Sequence, residues 1–123
     1  MNNTNDAAAI LVADDNDELR GLIGDTLRDR GCRVVEAASG DEAMALAGER
    51  LALVVADIVM PPEGGIALVD ALRQRIAGLK VLFISGYGAL PGGGGADPVL
   101  SKPFTADELV SRIAALAPEA FAR

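Results

Sequence analysis

Two six-residue stretches, Ala-Ala-Ile-Leu-Val-Ala at 8–13 and Leu-Ala-Leu-Val-Val-Ala at 51–56, are apolar at every position. They read as strands, and their lack of polar alternation fits strands covered on both faces, as in a parallel sheet. The expected bounds are Ala8–Ala13 and Ala52–Ala56, with further strands over Arg33–Ala37, Lys80–Ile84 and a short Pro98–Ser101. Helix-like stretches separate all but the last pair. Strand and helix alternating through short connections indicate a doubly wound α/β fold with a five-stranded parallel sheet.

Each helix carries its own signals. Leu19, Leu22, Ile23, Thr26 and Leu27 follow the i, i+3, i+4 spacing of an apolar stripe, with Asn16 or Asp17 as the cap and Gly31 at the end. Ser39 or Asp41 opens a second helix whose inner face is Ala43, Met44, Leu46 and Ala47. After a turn at Pro61, Pro62, Gly64 and Gly65, a third helix runs from Ile66 to Ile76 on Leu68, Val69, Leu72 and Ile76. Thr105 caps the last helix, with Glu108 at capping-box spacing and Leu109, Ile113 and Leu116 turned inward.

One connection departs from this rhythm. Between Gly86 and Asp97 the chain reads Gly-Tyr-Gly-Ala-Leu-Pro-Gly-Gly-Gly-Gly-Ala-Asp. Four glycines and Pro91 disfavour a helix of ordinary length, so the fourth crossover is expected as a shortened helix or a Gly-rich loop. Its role is open between a tolerated surface loop and a partner-binding segment.

Composition narrows the function. The net charge of −7, from 11 basic and 18 acidic residues, argues against a nucleic-acid binder, which needs a basic face. No apolar run approaches membrane-spanning length, and the first six residues lack the regions of a signal peptide. A single cysteine, Cys32, forms no internal disulfide and suits a cytoplasmic location. With no histidine in the chain, a His-based metal site, a Ser-His-Asp triad and an internal phosphohistidine are all excluded.

The charged residues fall at strand ends. Asp14 and Asp15 follow the first strand, Asp57 the third, and Lys102 the fifth. Ligands of open parallel sheets bind outside the carboxyl ends of the strands, so these four are placed to meet at one edge. Three carboxylates and an ammonium there can hold a hard divalent cation and present one carboxylate to a phosphoryl group.

Asp-Asp after strand one, Asp-x-x-Met-Pro after strand three, Ser-Gly after strand four and Ser-Lys-Pro-Phe after strand five occur in this order. Over residues 8–117 the chain resembles the receiver domain of two-component response regulators. The resemblance implies a flavodoxin-like sheet of order 2-1-3-4-5 with helices on both faces, residues 1–7 being a flexible tail and 118–123 a C-terminal tail. It implies that Asp57 accepts a phosphoryl group from the phosphohistidine of a histidine kinase or histidine phosphotransfer protein. Asp14 and Asp15 match the acidic pair that organises Mg²⁺, or Mn²⁺ in its place, Asp15 directly and Asp14 largely through water. The Val59 backbone carbonyl matches a further metal ligand, Ser85 the hydroxyl that turns to the phosphoryl oxygens, and Lys102 the cation that pairs with them. The bond before Pro103 is expected to be cis. No separate substrate is implied: the chain catalyses only its own phosphorylation and a slow dephosphorylation.

Two departures bear on output, the missing strand-five aromatic and the Gly-rich loop between Gly86 and Asp97. Many receivers carry an aromatic residue where this chain has Val99, so the usual coupling of hydroxyl and ring is absent, and Tyr87 becomes the alternative switch candidate beside Ser85. Val59 and Tyr87 are expected to flank the path of attacking water; neither is an acid or an amide, so hydrolysis is expected to be slow. Initiator-like Met1 and the lack of a linker favour a stand-alone receiver over one excised from a hybrid kinase. Signalling then runs through contact with an unidentified protein target, with neither nucleic acid nor membrane as partner. The rival readings are a pseudo-receiver that only binds partners, a Mg²⁺-dependent phosphohydrolase and, weakest, a nucleotide-binding flavodoxin relative.

Overall fold

The computed structural model describes residues 8–48, 50–86 and 97–121. Five parallel strands form one sheet: β1 (Ala9–Ala13), β2 (Arg33–Ala37), β3 (Leu51–Asp57), β4 (Lys80–Ser85) and β5 (Val99–Ser101), in the order β2-β1-β3-β4-β5. Order and parallel sense are as expected. The strands differ from their expected bounds by a residue or so, and the differences at β3 and β4 matter: Asp57 and Ser85 are the last residues of their strands, not loop residues.

Two cores explain the unbroken apolar runs. On one face Ile10, Val12, Leu53, Val55, Leu82, Ile84 and Leu100 pack beneath α1 (Asp17–Asp29) and α4 (Ala106–Leu116). On the other, Leu11, Ala13, Val54, Ala56, Val81 and Phe83 pack beneath α2 (Gly40–Ala45) and α3 (Gly65–Arg75). Successive side chains of a strand point to opposite faces, so a strand serving both cores needs an apolar residue at every position. With few aromatics available, aliphatic side chains fill both layers.

The caps settle where the helices start. The Asn16 side chain accepts from Leu19 N at 3.1 Å and the Ser39 side chain from Glu42 N at 3.1 Å. Thr105 and Glu108 form the expected capping box, with Glu108 N donating to Thr105 Oγ1 at 3.0 Å and Thr105 N to Glu108 Oε1 at 2.8 Å. Two expectations for inner faces need correction. Leu22 is 62% exposed: Ile23 and Leu27 occupy the centre of the α1 contact, and Leu22 lies past its edge. Leu46 and Ala47 fall beyond the end of α2, packing on the core from a turn. Beyond α4, Pro118–Phe121 form a 3₁₀ turn that buries Ala120. The crossover segment 87–96 lies outside the described residues.

Strand register sets the working edge. Ala13 lies beside Ala56, which brings the next residues, Asp14 and Asp57, level with each other. Asp57 lies beside Ile84, Ile84 beside Leu100 and Ser85 beside Ser101. Lys102, next after Ser101, thereby begins at the same edge, one strand beyond β4.

Candidate functional site

Asp57 is 5% exposed at the end of the central strand, and both its oxygens are engaged. Lys102 Nζ lies 2.8 Å from Oδ2, and Val59 N donates to Oδ1 at 2.8 Å. Local folding explains each partner. Val59 is reached by an immediate turn, while Lys102 is anchored by its own N–H, which donates to the Ser85 carbonyl at 2.8 Å. The Lys102–Pro103 bond is cis, as expected, and so is Pro61–Pro62.

Asp14 is 2% exposed. Its N–H donates to the Ala37 carbonyl at 3.1 Å, and its Oδ1 accepts from Asn16 N at 2.9 Å. Its Oδ2 is buried with no hydrogen-bond partner among the described residues. Burial raises the Asp14 carboxyl from its usual 3.8 to about 6; the Asn16 N–H opposes the rise and the neighbouring Asp57 charge adds to it. For Lys102, burial works to lower the ammonium's pKa. The hydrogen bond and charge of Asp57, with Asp14 and Asp15 behind it, outweigh burial and hold it above its ordinary value.

Placement therefore differs among the sequence-selected residues. Asp14, Asp57 and Lys102 are brought together. Asp15 is exposed, close enough for its charge to act on Lys102. Among the described residues no three His, Cys, Asp or Glu side chains converge as a metal-holding group. Ser85 is 2% exposed at the same edge, and Val59 is 56% exposed. Val99 is half-buried in β5 beside Phe83, and Tyr87 lies outside the described residues.

Sequence reasoning missed two features. Gly65 opens α3 against the end of β3, where a side-chain carbon would collide with the Asp57 carbonyl oxygen. Arg20 donates from Nη1 to the Asp14 carbonyl at 2.9 Å. Each had a signal available: a glycine pair after Pro-Pro, and an arginine five residues past Asp15 on the helix that leaves the site. Among the described residues no helix is long and apolar enough to cross a membrane.

Residues 10–114 match the family model of the response regulator receiver domain. The transcriptional regulatory protein CpxR of Escherichia coli K12 is 36% identical over 112 residues, covering 87% of this chain and 48% of CpxR. The chain thus spans about half the length of that relative. Among solved structures, the response regulator TrrA of Thermotoga maritima in complex with Mg²⁺-BeF superposes with a TM-score of 0.78 at 27% identity, covering 89% of this chain and 98% of that one. A response regulator from Burkholderia pseudomallei, with a phosphorylated aspartic acid, a calcium ion and citrate, gives a TM-score of 0.76 at 29% identity, covering 92% of this chain and 68% of that one.

Proposed function

The chain belongs to the response regulator receiver domain family, and from that premise we propose that Asp57 is its phosphoacceptor, served by a divalent cation, with phosphohistidine as the donor. The observation that carries the reading is the buried Asp57 carboxylate, gripped at both oxygens by Lys102 and Val59 N and set beside an Asp14 oxygen that lacks a partner.

The acidic corner fits a cation. An orphaned buried carboxylate oxygen and a carboxyl group raised to about 6 both mark a place where positive charge is wanted. Mg²⁺ uses one or two carboxylates and keeps several waters, so Asp57, with Asp14 acting largely through water, is a sufficient nucleus without a third converging side chain. Asp15 and the Val59 carbonyl are the further ligands we assign; Mn²⁺ suits the same oxygens. When bound, the cation offsets charge on the transferring phosphoryl oxygens.

Residues of the chain supply the remainder. An Asp57 oxygen forms a bond to phosphorus as the phosphorus–nitrogen bond of the donor breaks. The donor imidazole keeps the electron pair and takes a proton from solvent. Lys102 holds positive charge beside the acceptor throughout, which lowers the repulsion between a carboxylate and an anionic phosphoryl group. Val59 N fixes the carboxylate plane before the donor arrives. Ser85, buried at the adjoining strand end, is the hydroxyl assigned to the phosphoryl oxygens. The phosphorylated state signals through protein contact, with Ser85, Tyr87 and Val99 as the switch candidates, and no separate substrate is turned over.

The test is Mg²⁺-dependent labelling by acetyl phosphate and by a phosphorylated histidine phosphotransfer protein, read by intact mass for wild type and Asp57→Asn. One phosphoryl increment in wild type and none in the variant is the expected result. A wild type unlabelled by both donors, or a variant labelled equally, overturns the reading.

A further inference from the structure

Arg20 is the fourth residue of α1, and its guanidinium turns back toward the end of β1. The side chain is only 15% exposed and makes three polar contacts. Nη1 donates to the Asp14 carbonyl at 2.9 Å, Nη2 to Asp17 Oδ1 at 2.7 Å, and Nε lies 3.4 Å from Glu36 Oε1. The other Glu36 oxygen is 2.8 Å from Arg28 Nη1. Gly24 leaves room for that carboxylate, since a side-chain carbon there would stand 2.8 Å from Glu36 Oε2.

This arrangement separates two roles an arginine can play beside carboxylates. Asp17 and Glu36 already balance the Arg20 charge, so it is poorly placed as a counter-charge for Asp14 and Asp57. Geometry remains. The Asp14 carbonyl and the Asp15 N–H belong to one planar peptide unit, so fixing the carbonyl fixes the direction in which Asp15 leaves the strand. The planar guanidinium fork is suited to holding it, and Glu36 and Asp17 hold the fork. Behind it, the Asp14 N–H is tied to Ala37 and the Asn16 N–H to Asp14 Oδ1.

We propose that Arg20 is a positioning residue: by clamping the Asp14 carbonyl it sets the Asp14–Asp15 peptide, and with it the stance of both carboxylates toward a divalent cation. The proposal rests on the reading of these carboxylates as cation ligands. Groups that orient metal ligands typically change affinity 10–100-fold when removed, which sets the scale of the effect.

The experiment compares wild type, Arg20→Ala and Arg20→Lys. Three quantities are measured: the Mg²⁺ dissociation constant by titration calorimetry, the backbone NMR order parameter of Asp15 in metal-free protein, and the urea midpoint. Arg20→Ala should weaken Mg²⁺ binding about tenfold or more and lower the Asp15 order parameter. Arg20→Lys, which keeps the charge and one donor nitrogen but loses the planar fork, should recover part of both. Labelling by acetyl phosphate should return toward wild type at saturating Mg²⁺. If Arg20→Ala does not fold, Arg20→Lys carries the same readouts. Mg²⁺ affinity within twofold of wild type, or an unchanged Asp15 order parameter, overturns the proposal alone. A wild type that binds no Mg²⁺ overturns the cation-site reading, and this proposal with it.

Discussion

Lys102 reaches across the end of β4 to put its ammonium 2.8 Å from the Asp57 carboxylate, and this pair governs the charge of the whole edge. Asp57 is buried and Asp14 lies beside it, so without the ammonium two carboxylates would share one poorly solvated corner.

Replacing Lys102 by Met should therefore destabilise the metal-free protein most at high pH. The side chains of the pair are 35% and 7% exposed, so the loss should fall well below that of a fully buried pair. About 1–2 kcal/mol at pH 8 is expected. At pH 5 Asp14, raised to about 6, is mostly protonated and the penalty should shrink. Urea unfolding at the two pH values checks this; an equal loss at both would refute it.

Asp14→Asn should stabilise the metal-free protein. An acid raised from 3.8 to about 6 on folding contributes stability that is full below its unfolded pKa and is lost as pH rises through the folded one. Between about pH 4 and 6 the native state keeps a proton that the unfolded chain has released. Asparagine removes that loss, so a gain of roughly 1–3 kcal/mol is expected at pH 7.5 and none near pH 4. The same variant should lose most of the stabilisation that added Mg²⁺ gives wild type. Denaturation series with chelator and with Mg²⁺ measure both effects.

Gly65→Ala should damage stability and phosphorylation together. The added methyl group meets the carbonyl of Asp57 itself, a backbone atom that cannot rotate away. Relief requires moving the end of β3 or the start of α3, at a cost of roughly 2 kcal/mol or more. Thermal melting and acetyl phosphate labelling should both fall; a variant matching wild type in both would show that the turn yields freely.

The fold was legible because apolar periodicity and strand-end chemistry agree. Runs such as Leu53–Ala56 can satisfy two cores at once only inside a covered parallel sheet, and Asp14, Asp57 and Lys102 gain meaning only from that edge. What stayed hidden depends on direction, not composition. Leu22 matches the helical stripe by spacing, yet the α1 contact with the sheet is narrower than the stripe. Arg20 reads as one of several surface arginines until its guanidinium is seen folding back on a main-chain carbonyl. Gly65 looks like punctuation, although its role is to let a helix begin against the acceptor's own backbone.

The approach to Lys102 depends on a second ion pair. Arg73 of α3 donates from Nη1 and Nη2 to the two oxygens of Asp97 at 3.0 and 2.9 Å, and from Nε to the Leu79 carbonyl at 3.0 Å. Asp97 stands just before a strand of only three residues, so this bidentate contact helps set where β5 begins and where Lys102 emerges. The hydrogen bonds from Arg73, aided by its charge, hold the Asp97 carboxyl below its ordinary range despite partial burial. A lowered acid gives stability that is present above its unfolded pKa and is lost as pH falls through the folded one. A double-mutant cycle of Arg73→Ala and Asp97→Ala should therefore give a coupling of about 1 kcal/mol at pH 7, waning below about pH 4. Amide exchange at Lys102, whose N–H binds the Ser85 carbonyl, should quicken in either single variant. Coupling near zero at pH 7 would mean that β5 is placed without help from this ion pair.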